Sequence, residues 1–323
     1  MSTAGADDSV TGGRAVPLEP YEEFAYFPDN AAEYGLELDG APVVRRVAVD
    51  VTPSRRVSAL VWGTEPAQMV LIHGGAQNAH TWDTVALALD RPLVAIDLPS
   101  HGHSDTLVVP GGGFNGGVRR TEALARDVAV AIRELAPSAR LVVGMSLGGL
   151  TSIELAASRP ELVPRLALID ITPGVNGEKA KAITDFVRGP ATFASFDDLL
   201  ARTVEHNPTR TESSLRRGIL HNAEQLPDGS WRWRHRRHDV TFAEDAEIDA
   251  SARLWDALGH VTAPVLLVRG MRSQSVVDDA DQAELLRRVP AARVEHFTEA
   301  GHSVQGDMPV ELATLLAEFA DES

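Results

Sequence analysis

Short apolar runs of strand length, separated by stretches with helical spacing, recur along this chain and constrain its architecture more than any other feature. Residues 69–72, 92–98, 141–143, 165–171, 264–269 and 293–297 read as strands. Residues 121–135 set Leu124, Val128, Ile132 and Leu135 on one helical face, and residues 147–158, 279–288 and 309–319 read as further helices. Strands that are apolar on both sides need cover on both sides, and intervening helices supply it. The pattern therefore predicts an α/β fold with a mostly parallel sheet. Upstream, residues 43–51 and 56–62 are β-rich and split by Pro53-Ser54, which predicts an antiparallel pair.

The alternation lapses in two places. Residues 1–40 carry no clear period and read as an N-terminal arm. Residues 172–250 are polar and mixed, with helical stretches at 179–187, 196–204 and 213–223 and no strand signal. They fall between two sheet strands, where a lid over the strands' C-terminal ends would be inserted. The expected division is an arm over 1–40, a core from 41–171 and 251–323, and a helical cap over 172–250.

Composition removes several classes of function. The chain has no cysteine, so disulfides, thiolate-bound zinc and a thiol nucleophile are all absent. Its net charge of −16 repels phosphate backbones, and no nucleic-acid partner is expected. No apolar run approaches the roughly 20 residues that cross a bilayer, so no membrane partner is expected either. The first residues are acidic and lack a basic segment followed by an apolar one, which points to the cytoplasm.

Three segments carry chemistry. Gly144-Met145-Ser146-Leu147-Gly148 lies between a strand and an apolar helix, the context of a nucleophile elbow. Glycines two positions either side relieve a sharp turn, and Ser146 then stands at a helix N-terminus. The plainer reading is a strand-to-helix junction with Ser146 as a helix cap. His73-Gly74-Gly75-Ala76 follows an earlier strand, and Gly75 is placed to supply one oxyanion N–H while Leu147 supplies the other. His73 itself reads as a structural buttress. Glu299-Ala300-Gly301-His302 follows the last strand, and its small-residue turn exposes His302 as a general base. Gly74, Met145 and Trp231 are the candidate substrate-binding residues.

Together with Asp97-Leu-Pro-Ser-His-Gly-His-Ser104, and in this order, these segments resemble the α/β-hydrolase superfamily from about residue 43 to the C-terminus. The resemblance implies an eight-stranded, mostly parallel sheet with helices on both faces and an inserted helical lid. It also implies a serine hydrolase that cleaves a small-molecule carboxylic ester or lactone and needs no cofactor. C–C bond hydrolysis on the same scaffold, or a non-catalytic ligand-binding member, are the rival readings.

The triad acid departs from the family pattern. It usually follows the strand before the final histidine, but here that segment reads Arg269-Gly-Met-Arg-Ser-Gln-Ser-Val-Val-Asp278. Asp170, at the end of the preceding strand, is the favoured acid, because some relatives use that position. Asp278 or Asp279 lies late and is placed to cap the next helix. A third arrangement has no acid and steadies His302 with Ser273 or Gln274.

Other signals are weaker. His101, His103 and Asp105 imitate the start of a metallo-hydrolase signature, but Thr106 breaks it, and no metal is expected. The glycine-rich run at residues 111–117 lacks the Lys-Ser/Thr of a phosphate cradle and reads as a loop at the pocket mouth. Trp231, Trp233 and the cations between Arg232 and His238 read as a solvated lid edge with arginine stacked on tryptophan. The sharper alternative is a rim for acidic esters.

Overall fold

In the computed structural model of the protein, residues 21–107, 117–175, 178–207, 210–235 and 244–322 are described. The strands of the core are β1 (Val44–Thr52), β2 (Arg55–Trp62), β3 (Met69–Ile72), β4 (Leu93–Ile96), β5 (Leu141–Met145) and β6 (Leu166–Ile169). Three short strands follow in the insertion: β7 (Thr192–Phe193), β8 (Ala223–Gln225) and β9 (Trp231–Trp233). The core then resumes with β10 (Val265–Gly270) and β11 (Arg293–Phe297). Eight of these form one sheet in the order β1-β2-β4-β3-β5-β6-β10-β11. β1 and β2 are antiparallel, as is β2 with β4, and every later pairing is parallel.

Helices cover both faces. In chain order they are α1 (Phe27–Glu33), α2 (Asp83–Leu89), α3 (Gly117–Leu135) and α4 (Leu147–Ser158), then α5 (Lys181–Val187), α6 (Phe196–His206) and α7 (Glu212–Asn222) in the insertion. After it come α8 (Glu244–Gly259), α9 (Asp279–Arg288), α10 (Val304–Asp307) and α11 (Pro309–Asp321). Period-two side-chain alternation divides the core. Val142 packs with Leu124, Ile132, Ile153 and Leu258 from α3, α4 and α8. Leu141, Val143 and Met145 face the other way, onto Val85, Leu316 and Phe319 from α2 and α11. β3, β4 and β6 are buried at every position, which is why they read as unbroken apolar runs.

Three features differ from the sequence reading. The segment read as an arm without a clear period contains α1, and Phe27 is buried against Trp62 with ring centroids 4.9 Å apart. The insertion is helical as expected, but it also holds a three-stranded antiparallel sheet, β7-β9-β8. Strands of two or three residues leave no periodicity to read, and the alternation of Trp231 and Trp233 belongs to the central strand of that sheet. α8 runs across residue 250, the expected end of the cap, and sends Leu254, Trp255 and Leu258 into the core.

The insertion has its own apolar centre of Leu199, Leu200, Leu215, Ile219, Trp231 and Trp233. It is tied to the core by polar contacts. Asn78 Nδ2 donates to His221 O at 2.8 Å and to Asn222 Oδ1 at 2.9 Å. Arg217 Nε donates to Asn30 Oδ1 at 2.7 Å.

Candidate active site

Ser146 occupies the turn between β5 and α4 with φ 50° and ψ −119°, a conformation L-residues rarely adopt. Such strain costs about 1–3 kcal/mol and persists only where the surroundings enforce it. Here they do. A Cβ at Gly144 would lie 2.6 Å from Gly148 O and Gly149 Cα, and one at Gly148 would lie 2.6 Å from His73 O. The Ser146 side chain makes no capping bond to α4, so the hydroxyl is not spent on the plainer structural role.

The loop after β3 lies beside this turn, since a Cβ at Gly74 would be 3.2 Å from Ser146 Cβ. Two contacts fix that loop from behind. Leu98 N donates to His73 Nε2 at 2.9 Å, which leaves Nδ1 to carry the hydrogen that reaches Gly74 O at 2.6 Å. Gly74 N donates to Gln77 Oε1 at 3.0 Å. His73 is fully buried, and burial lowers its basicity, so the imidazole stays in this neutral, two-ended form. It is a buttress, as its sequence context suggested. Leu147 N begins α4, where an N–H has no acceptor within its own helix. Gly75, Met145 and Ser146 line a common cavity.

His302 reaches the same cavity from the loop between β11 and α10. Gly301 N donates to Asp307 Oδ2 at 2.9 Å, and a Cβ at Gly270 would lie 2.9 Å from Ala300 O, so this loop lies directly on the end of β10. His302 Nδ1 is 2.9 Å from Asp170 Oδ2.

Asp170 follows β6 with φ 45° and is completely buried. Each of its oxygens accepts two hydrogen bonds. Gly270 N at 2.9 Å and Ser275 Oγ at 2.6 Å donate to Oδ1, while Val276 N at 3.1 Å and His302 donate to Oδ2. Asp278 is placed elsewhere. It caps α9 in a capping box with Asp281 and pairs with Lys179 at 2.8 Å, the hydrogen bond that brings its pKa down to about 2. Asp279 pairs with Arg269 at 2.7 Å. Ser273 and Gln274 line the cavity, but neither has a hydrogen bond to His302 among the described residues.

The cavity has a volume of about 230 Å³. Its floor is the core, with Gly74, Gly75, Met145, Ser146 and His302. Its roof is α5 of the insertion, with Ile183, Phe186 and Val187. That roof is apolar and suits an acyl or alkyl group. Trp231 does not line it. The indole is buried in the insertion's own centre, edge-on to Phe196 at 5.0 Å, which corrects its expected role in substrate binding.

The rim for acidic esters does not form at Arg232 and Arg234 either, because both pair with Glu224, at 2.5 and 3.4 Å. Among the described residues neither arginine stacks on a tryptophan; Arg234 lies over Tyr21. Residues 236–238 and most of the glycine-rich run lie outside the described residues. His101, His103 and Asp105 diverge. His101 Nδ1 bonds Pro99 O, while the backbone of His103 donates to Asp97 and Asp105 accepts from Arg56 N.

Sequence reasoning missed Ser275 and the backbone of Gly270 and Val276 as holders of the acid. It also missed the α5 roof. Ser275 stands in the segment where an aspartate was sought, and only the fold reveals that it serves an aspartate from another strand.

The model of the alpha/beta hydrolase fold family matches residues 68–309. Esterase Rv0045c of Mycobacterium tuberculosis is 39% identical over 325 aligned residues, covering 98% of this chain and 99% of that protein. A structure of that esterase, refined in work on its inhibition by transition metals, superimposes with a TM-score of 0.79 over 93% of this chain and 99% of its own. An sn-1-specific diacylglycerol lipase of Xenopus laevis, ABHD11, is 25% identical over 79% of this chain and 80% of its own length. The crystal structure of E-2-(acetamidomethylene)succinate hydrolase gives a TM-score of 0.70 at 27% identity, over 87% of this chain and all of that one.

Proposed function

This chain belongs to the α/β-hydrolase fold family, and on that footing we propose that it hydrolyses a small-molecule carboxylic ester or lactone through an acyl-enzyme at Ser146. The observation that carries the reading is the linkage of His302 to the buried carboxylate of Asp170 beside a strained, uncapped serine in one cavity. The likeness to an esterase over almost the whole length of both chains supports the ester class.

The reaction runs in two halves. His302 Nε2 accepts the Ser146 proton as Oγ attacks the ester carbonyl, and Asp170 holds the Nδ1–H tautomer and balances the imidazolium. The oxyanion takes hydrogen bonds from the N–H groups of Gly75 and Leu147, a stabilisation worth about 3–4 kcal/mol per donor in such sites. Collapse returns the proton from His302 to the leaving alcohol and leaves Ser146 acylated. Water, activated by His302, then attacks the acyl-enzyme and frees Ser146. The apolar face of Ile183, Phe186 and Val187 receives the acyl chain. Among the described residues no helix is long and apolar enough to cross a membrane. A cysteine-free sequence fits action on a small ester in the cytoplasm.

A fluorophosphonate probe tests the reading directly. The wild-type protein is expected to label stoichiometrically and to hydrolyse p-nitrophenyl esters, and Ser146→Ala is expected to do neither. An unlabelled, inactive wild type would favour a ligand-binding member of the family. Labelling that persists in Ser146→Ala would move the nucleophile elsewhere.

A further inference from the structure

Where the insertion meets the core, two imidazoles lie face to face. His80, just before α2, and His221, in the last turn of α7, have ring centroids 3.8 Å apart and planes within 9° of parallel. Both address one carboxylate. His80 Nδ1 is 2.8 Å from Asp83 Oδ2, and His221 Nε2 is 3.8 Å from the same oxygen. One donor atom from each of the three side chains lies within 4.8 Å of the other two, and all three residues are buried. Two polar atoms in this cluster, His221 Nε2 and Asp83 Oδ1, have no hydrogen-bond partner among the described residues. Burying such atoms unpaired is costly, so finding both in one cluster calls for an explanation.

We propose that His80, Asp83 and His221 form a site for one divalent transition-metal ion, of the zinc, cobalt or nickel type, that staples the insertion to the core.

The donor set is the first argument. Two imidazole nitrogens and one carboxylate oxygen suit these metals, whereas calcium and magnesium take oxygen cages. The spacing is the second. Ligands at about 2.0–2.2 Å from a tetrahedral zinc stand about 3.3 Å from one another. The two distances to Asp83 bracket that value; parallel rings point their lone pairs side by side, so closing the set requires one imidazole to rotate out of the stack.

Third, each imidazole is held from its far side, as metal-binding histidines are. His80 Nε2 meets Glu23 Oε1 at 3.0 Å, and His221 Nδ1 meets the Tyr21 hydroxyl at 2.8 Å. In the tautomer whose Nδ1–H is donated to Tyr21, the Nε2 lone pair of His221 is available to an ion. The Arg46 guanidinium, 3.4 Å from His80 Nε2, sits on the far side and is already paired with Glu23 and Asp97. Access is available, because His80, Asp83 and His221 line a cavity of about 180 Å³ that adjoins the catalytic one. Binding displaces the proton between His80 Nδ1 and Asp83 to solvent, and the ion's remaining positions are open to water. The site is separate from His302, the histidine of the proposed reaction.

Titration of the metal-free protein with Zn2+ and with Co2+ decides the matter, followed by calorimetry, by the thermal midpoint and by the visible spectrum of bound cobalt. The wild type is expected to take one ion per chain, to melt higher when loaded and to give a tetrahedral or five-coordinate cobalt spectrum. His221→Phe keeps a flat ring on His80 but removes the donor, and Asp83→Asn removes the anionic ligand. Each is expected to weaken binding at least 100-fold, while His302→Ala binds as the wild type does. Absence of one-to-one binding in the wild type overturns the proposal, as does unchanged binding in whichever of His221→Phe and Asp83→Asn folds. Loss of binding in His302→Ala overturns it too, because the ion then sits at the catalytic histidine.

Discussion

His302 Nδ1 lies 2.9 Å from Asp170 Oδ2, although the two are 132 positions apart and the acid comes from β6, not β10. Register explains how this pairing arises. β6 and β10 are adjacent and parallel with Ile169 opposite Val268, so the residue after β6 emerges beside Gly270. Gly270 lies opposite Phe297 of β11, whose following loop carries His302. An acid at the end of β6 therefore reaches the same imidazole as one placed after β10.

Asp170→Asn keeps the shape of the site but loses the acceptor that selects the productive tautomer. We expect kcat to fall by up to about 10⁴-fold. Asp278→Asn retains a capping side chain at α9 and should keep near-wild-type turnover. Steady-state kinetics on one activated ester compares them, and equal activity in the two variants would remove Asp170 from the reaction.

Ser275→Ala deletes one of four donors to Asp170. A hydrogen bond to a charged acceptor is worth about 1.5–3 kcal/mol, so kcat should drop roughly 10- to 100-fold. KM should change little, because Ser275 does not line the cavity. Ser275→Thr, which keeps the hydroxyl, should recover most of the loss.

Gly74→Ala tests the oxyanion loop. The added Cβ runs into Met145 Sδ and comes to 3.2 Å from Ser146 Cβ, so the loop must retreat from the elbow. Loss of one oxyanion donor costs about 10²- to 10³-fold in kcat. Normal labelling by a small fluorophosphonate with normal ester turnover would show that the loop has room to spare.

Asp97 makes acid stability measurable. Burial would raise its pKa, but Arg46 at 2.6 Å and the N–H groups of Ala79 and His103 outweigh burial and hold it below the usual value. A carboxyl lowered on folding stabilises the native state above its unfolded pKa of about 4, and that stabilisation is lost as pH falls through the folded value. Asp97→Asn should therefore be less stable than wild type by about 3–5 kcal/mol at neutral pH, and the gap should narrow below pH of about 4. Thermal melts across that range check the sign.

Arg232→Ala with Arg234→Ala should leave the ratio of acidic to neutral ester turnover unchanged. Both cations are satisfied by Glu224, and an exposed pair of this kind contributes about 0–1 kcal/mol. A selective loss of acidic substrates would return them to the pocket rim.

The parts of this fold that were legible in the sequence are those that local physics dictates. Runs such as Met69-Val-Leu-Ile72 are apolar because both sides of the strand are covered, and Gly144 and Gly148 are glycines because Ser146 lies in a tight turn. His302 stood out by its position after the last strand. What was hidden depends on register or on distant packing. Nothing near Ser275 signals that it serves Asp170. His80 and Asp83 are three residues apart, but His221 joins them only when α7 docks, so no spacing rule exposes the trio. Trp231 misled because alternating aromatic and basic residues look alike on a pocket rim and on a strand of the insertion's own small sheet.

Asp170 is also nearly the last core residue before the polypeptide departs into the insertion, and its left-handed backbone turns the chain there. The acid is thus bolted to the sheet, not to the roof. A laboratory graft that exchanges everything from residue 178 to residue 235 for a roof of another shape should inherit a working proton relay. Such chimeras would separate the tuning of substrate choice from the upkeep of catalytic power.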